Sequence, residues 1–151
     1  QRVGRVELQP MLQPFLTNLF ACLALDSSKE NPHIMKCVMR IVSVAQADIA
    51  AVAAMLVGKL TELLSELCKG FQHGQAPKTP AFHHYIFESL AAVIRHIAAD
   101  PVAVASMEEL TLPPFQMVLQ ADITEFQPYY VQIVAQLLER RGGPIPPSYL
   151  Q

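Results

Sequence analysis

The chain has 151 residues, 52% of them apolar and only 16% charged, a balance that excludes disorder over most of its length. That size suits one compact domain or a few units of a repeat array. Eleven basic and thirteen acidic residues give a net charge of −2 with no block of like sign, so the electrostatic footprint of a nucleic-acid-binding module is missing.

The opening "QRVGRVELQP" has neither the layout of a signal peptide nor an initiator methionine, and an internal piece of a longer protein is expected. Over 8–25, Leu8, Leu12, Phe15, Leu19 and Phe20 follow three- and four-residue steps and predict a helix, delayed or bent at its start by Pro10 and Pro14. "DSSKENP" is a loop. Asn31 is placed to cap the next helix, and Pro32 suits its first position, where no N–H partner is needed. Ile34, Val38, Ile41, Val42 and Ala45 form the expected buried stripe, with Lys36, Arg40 and Ser43 turned elsewhere.

A short joint at Ala47-Asp48 leads into the longest expected helix, about 48–69. Its apolar run "DIAAVAAMLVGKL" is alanine-rich and interrupted by Lys59, so no membrane insertion is expected. Ile49, Val52, Leu56, Leu60, Leu63 and Leu67 share one arc, and Val57, Leu64 and Cys68 widen the apolar face to about 160°. Lys59, Glu62, Glu66 and Lys69 gather on another side. A face that wide requires neighbours on more than one flank, as in stacked helix pairs.

"GFQHGQAPKTP" is a loop, after which Thr79-Pro80 repeats the cap-then-proline start of Asn31-Pro32 at a distance of 48 residues. That spacing lies near the period of HEAT-type repeats, about 40–47 residues. Further helices are expected at about 80–99, stopping at Asp100-Pro101; at about 102–120, broken or restarted at Pro113-Pro114; and at about 123–140, with Gly142 as a stop. No alternating run of β-branched residues supports a strand. The expectation is an all-α fold, an α-α superhelix of HEAT-type antiparallel helix pairs. The whole of 1–151 is one solenoid segment of roughly three pairs: 8–25 closes a preceding repeat, 31–69 and 80–120 are full pairs, and 123–140 opens the next.

His83 and His84 point about 100° apart on a helix and cannot converge on one ion. His83 falls on the apolar face, as a histidine hydrogen-bonded between packed helices. His84, Glu88 and Arg95 fall together as a polar cluster, at the surface or joining adjacent repeats. No metal-ligand spacing, nucleophile motif or phosphate loop occurs, so no cofactor, metal site or catalytic residue is expected, and the chain is not read as an enzyme. Cys22, Cys37 and Cys68 are odd in number and widely spaced, and fit reduced core thiols. Met35, Met39, Met55, Met107 and Met117 at helical spacing fit core better than a binding groove.

The strings "TNLFACLALDSSKENPHIMKCVMRIVSVAQ", "FHHYIFESL", "ADPVAVASMEEL" and "LQADITEFQPYYVQIVAQLLE" stand in an order and at spacings that resemble the importin-alpha re-exporting branch of the importin-beta (karyopherin) family. The matched positions are Asn31, Ile34, Met35, Lys36, Met39 and Arg40; His84, Tyr85, Phe87 and Glu88; Glu125, Phe126, Pro128 and Tyr129; and Ile145, Pro146, Ser148 and Tyr149. Two positions depart from the pattern: Pro113-Pro114, where the family has an uninterrupted helix, and His83, where it has other polar residues. The resemblance implies a HEAT superhelix whose parent binds importin-alpha cooperatively with Ran-GTP, carries it from nucleus to cytoplasm through the pore of the nuclear envelope, and does no chemistry itself. It also implies that second helices of pairs face the partner, which makes Lys59, Glu62, Glu66 and Lys69 the candidate partner-facing residues. Two other readings stay open at this point: a non-transport α-solenoid scaffold for protein–protein interaction, and a compact all-α enzyme with a closed pocket. Repeat ends without neighbours should expose apolar faces, so self-association of the chain is also expected.

Overall fold

Caps and prolines decide where most of the helices begin. The computed structural model describes residues 4–75, 79–141 and 143–149. Its helices are α1 (Arg5–Leu8), α2 (Leu12–Leu23), α3 (Pro32–Ala45), α4 (Ala53–Gln72), α5 (Pro80–Ile97), α6 (Pro101–Gln120) and α7 (Gln127–Arg140), with no strand among the described residues. Asn31 caps α3 as its sequence position predicts: its side-chain oxygen accepts from the N–H groups of His33 at 2.9 Å and Ile34 at 3.4 Å. Asp100 does more than stop the preceding helix. Its carboxylate accepts from Val102 N–H at 3.0 Å and caps α6.

Thr79 differs from Asn31. Pro80 does start α5, but the Thr79 side chain does not cap it; its hydroxyl donates to the Glu30 carbonyl at 3.4 Å and joins the loops that precede α5 and α3. The proline at Pro10 ends α1 and gives a 3₁₀ turn over Gln9–Met11, and Pro14 is absorbed in the first turn of α2. The joint after α3 is sharper than expected. Gln46 sits at φ 50, ψ −122, and Gln46–Val52 is a 3₁₀ segment, so α4 begins at Ala53. The expected stop at Gly142 lies outside the described residues.

Pro113 and Pro114 do not break α6, contrary to the expectation. A proline inside a helix costs about 3 kcal/mol, and the residue before it is pushed from helical geometry. Here the burial of Val104, Met107, Phe115 and Val118, with Pro114 itself, holds the helix through. The intrahelical bonds that fail are those to the Glu109 and Leu110 carbonyls, whose i+4 residues are the two prolines.

The helices stack in two rows of HEAT type. α3 packs along α5, which packs along α7; α4 packs along α6, and α2 lies against α3 and beside α4. α5 is the most enclosed element, burying Phe82, Ile86, Phe87, Leu90, Val93, Ile94 and Ile97 together with His83, which was expected on its apolar face. One continuous core joins Leu8 to Leu137. In α2 the buried stripe is Leu12, Leu16, Phe20 and Leu23; Phe15 was expected inside but is 42% exposed, because Leu16 takes the core-facing place. Met35 and Met107 are core, while Met39, Met55 and Met117 are half-buried. Cys68 and Cys37 are buried and half-buried, but Cys22 is exposed and is no core thiol. Pro32–Gln72 is, by length and composition alone, apolar enough to cross a membrane; the turn at Gln46 divides it, and Ile49, Leu56, Val57, Leu60 and Leu64 enter the core.

Candidate partner-binding surface

α4 turns its wide apolar face to its neighbours and leaves one charged edge in water. Lys59, Glu62, Glu66 and Lys69 are all exposed on it. Within the edge, Lys59 Nζ pairs with Glu62 at 2.8 Å and Lys69 Nζ with Glu66 at 2.7 Å, each across one helical turn. The Lys69 hydrogen bond and charge lower the pKa of Glu66. Such exposed pairs hold little energy and exchange readily for other partners.

The edge borders three depressions. Lys59 and Glu62 stand over a largely apolar groove of about 400 Å³ between α2 and α4, floored by Phe20, Leu23, Met55 and Leu63. Glu62, Glu66 and Lys69 border a shallower groove of about 470 Å³ between α4 and α6. Glu66 and Lys69 also border a cleft of about 670 Å³ reaching Lys29, His73 and Phe82. The four charged residues singled out from sequence are therefore brought together on the ridge between open grooves.

The histidine pair resolves differently from the sequence expectation. His83 is buried, its ring 4.8 Å from that of Phe126 and 6.1 Å from that of Tyr129, but its Nδ1 has no hydrogen-bond partner. The aromatic contacts with Phe126 and Tyr129 take the place of the expected hydrogen bond at that nitrogen. Burial lowers its pKa, with His84 adding to this and Glu125 opposing it, so the ring is neutral near pH 7. The ring of Phe87 stacks on Tyr129 at 4.9 Å and meets Phe126 edge-on at 5.5 Å, completing an aromatic joint between α5 and α7. His84 Nδ1 lies 3.1 Å from the Tyr129 hydroxyl, and among the described residues no ion pair joins His84, Glu88 and Arg95. The expected cluster is replaced by a link from His84 to the next helix of its row. Among the described residues no group of three or more His, Cys, Asp and Glu side chains gathers as a metal site.

Sequence reasoning missed one buried ionic group. Glu108 of α6 is only 5% exposed, and it accepts from Arg141 Nη1 at 2.6 Å and from the Tyr149 hydroxyl at 2.8 Å. Arg141 Nε also donates to the Pro144 carbonyl at 2.8 Å, so the segment after α7 is folded back onto α6. Burial, then the bond to Glu108, raises the Tyr149 pKa and keeps the phenol a donor. The one available signal was the position of Glu108, which interrupts the apolar face made by Val104, Met107 and Phe115.

The family model described as "CAS/CSE protein, C-terminus" matches residues 1–151. Exportin-2 of Oreochromis niloticus is 40% identical over 149 residues, 98% of this chain and 15% of that protein. Exportin-2 of Homo sapiens is 39% identical over 145 residues, 95% of this chain and 14% of that protein. The importin-alpha re-exporter of Schizosaccharomyces pombe is 38% identical over 145 residues, 92% of this chain and 14% of that protein. The chain thus spans about 15% or less of the length of these curated relatives. No solved structure matches it. Matched from its first residue to its last, the chain belongs to the CAS/CSE family, within that family's C-terminal part.

Proposed function

We propose that these repeats are a segment of a nuclear export receptor that binds importin-alpha cooperatively with Ran-GTP, shuttles between nucleus and cytoplasm through the pore, and performs no catalysis. The observation that carries this reading is the match over the whole chain to proteins named Exportin-2 and importin-alpha re-exporter. The two-row helical stack supports it physically. Repeats that contact only their neighbours give a long surface whose curvature changes by small shifts, and two ligands that favour the same curvature bind cooperatively. Lys59, Glu62, Glu66 and Lys69 form the partner-facing edge in this reading. Apolar groups left bare at the end of the stack, Met11 and Phe15 of the first helices among them, are where copies of the isolated chain would self-associate.

The test is a titration of the full-length protein with importin-alpha, with and without Ran locked in its GTP state. Tight binding only with Ran-GTP is the expected result. Binding that is absent, or indifferent to Ran, would reduce the assignment to the repeat fold alone. Lys59→Glu together with Glu66→Lys then tests the edge, by weakening the ternary complex without lowering the melting temperature.

A further inference from the structure

The joint between α3 and α4 departs from what its own residues favour. Gln46–Val52 is a 3₁₀ run of 7 residues, whereas such runs seldom exceed three or four because their hydrogen bonds are poorly aligned. Its sequence includes Ala47, Ala50 and Ala51, and alanine is the strongest α-helix former. At its head Gln46 sits at φ 50, ψ −122, a conformation that glycine adopts freely and a residue with a Cβ does not. Both anomalies have one cause if the joint is stretched. Seven residues span about 14 Å as 3₁₀ but about 10.5 Å as α-helix, so the observed form bridges a distance that the α form could not.

We propose that Gln46–Val52 is a two-form joint, extended as 3₁₀ in this structure and contracting to α-helix in a second form that draws the end of α3 toward α4. The same side chains anchor both forms. Ile49 and Val52 are buried now, three residues apart and aligned as a 3₁₀ turn requires. On an α-helix they remain on the arc of Leu56 and Leu60, so contraction keeps them in the core. The opposite side has room to move: Ala47, Asp48, Ala50 and Ala51 border an open depression of about 480 Å³ shared with Gln9–Pro14. One exposed tie crosses it, the Arg5–Asp48 ion pair at 2.6 Å, which holds the extended form to the helix before it. Because α3 and α4 lie in different rows, contraction slides one row against the other. The joint does not depend on what the repeats bind.

NMR relaxation dispersion on the full chain tests it, since shifts of helix register fall in the μs–ms range that the method reads. Amides of Gln46–Ala53 should show exchange that the middle of α4 lacks, and the minor form should have Cα shifts nearer α-helical values. Gln46→Gly removes the strain from the extended form. It should raise the melting temperature and lower the minor population about fivefold, the low end of what such a backbone conformation costs. Arg5→Ala cuts the tie and should raise the minor population while leaving the melting temperature nearly unchanged. Absence of exchange in the joint overturns the proposal, as do minor-form shifts toward random coil, which report fraying. A Gln46→Gly chain that melts higher with its exchange unaltered also overturns it, since the strain would then be structural only. The measurement contains neither importin-alpha nor Ran, so its failure leaves the export reading untouched.

Discussion

Arg5 and Arg141 each tie a terminal segment to the stack through a carboxylate, and they do it in different media. Arg5 grips Asp48 with two parallel bonds of 2.6 and 2.7 Å, yet its side chain is 45% exposed. Arg141 makes a single 2.6 Å bond to Glu108, which is 7% exposed at the side chain and shares its second oxygen with Tyr149. By geometry alone the first tie looks stronger. Dielectric reverses the order: water screens the Arg5 pair, whereas removing either partner at Glu108 leaves a charge or a donor stranded inside.

The most direct way to break this comparison is Glu108→Ala. It should destabilise the chain by about 3 kcal/mol, the low end for a broken buried pair, because Arg141 keeps some contact with water; urea unfolding measures it. Tyr149→Phe should cost about 1.5 kcal/mol, since it takes one donor from a buried carboxylate. It should also sharpen limited proteolysis after Arg140 and Arg141, because the folded-back segment loses one of its two anchors.

The two ties should also separate by pH. The folded Tyr149 pKa lies above the ordinary 10.0, so its contribution is complete below pH 10 and falls away as pH rises beyond that; Tyr149→Phe should flatten the alkaline limb of the stability curve. The Asp48 pKa lies below the ordinary 3.8, first because Arg5 bonds its charged form, so that contribution is complete above pH 3.8 and is lost on further acidification. The smallest effect is expected of Arg5→Ala: little change in melting temperature at low salt, and none at high salt, where the pair is already screened. A loss as large as that of Glu108→Ala would sink the contrast.

How much of this was legible in the sequence differs by mechanism. The buried faces of α4 and α5 could be read because a wide apolar arc fixes orientation without reference to any other element. Asn31 could be read because a cap is satisfied within three residues. Thr79 could not, since the competing acceptor is the Glu30 carbonyl, 49 residues away. Phe15 and Leu16 are neighbours on α2, and only the position of α3 decides which goes inside. Local rules call for a break at Pro113-Pro114, and packing against α4 overrides them. The four charges of the α4 edge were placed correctly as exposed neighbours. The groove beside them needed α6, and the Glu108 group needed the chain to return across 33 and 41 residues.

The layered packing has a mechanical consequence. Contacts run mainly along the rows, α3 with α5 and α4 with α6, rather than across each pair, so the stack resembles a laminate of two bonded strips. A laminate bends when one strip lengthens or shortens relative to the other. Side-chain packing, not backbone hydrogen bonding, sets the spacing between the helices of each strip. A change in the separation of α4 and α6 that α3 and α5 do not share therefore curves the whole segment.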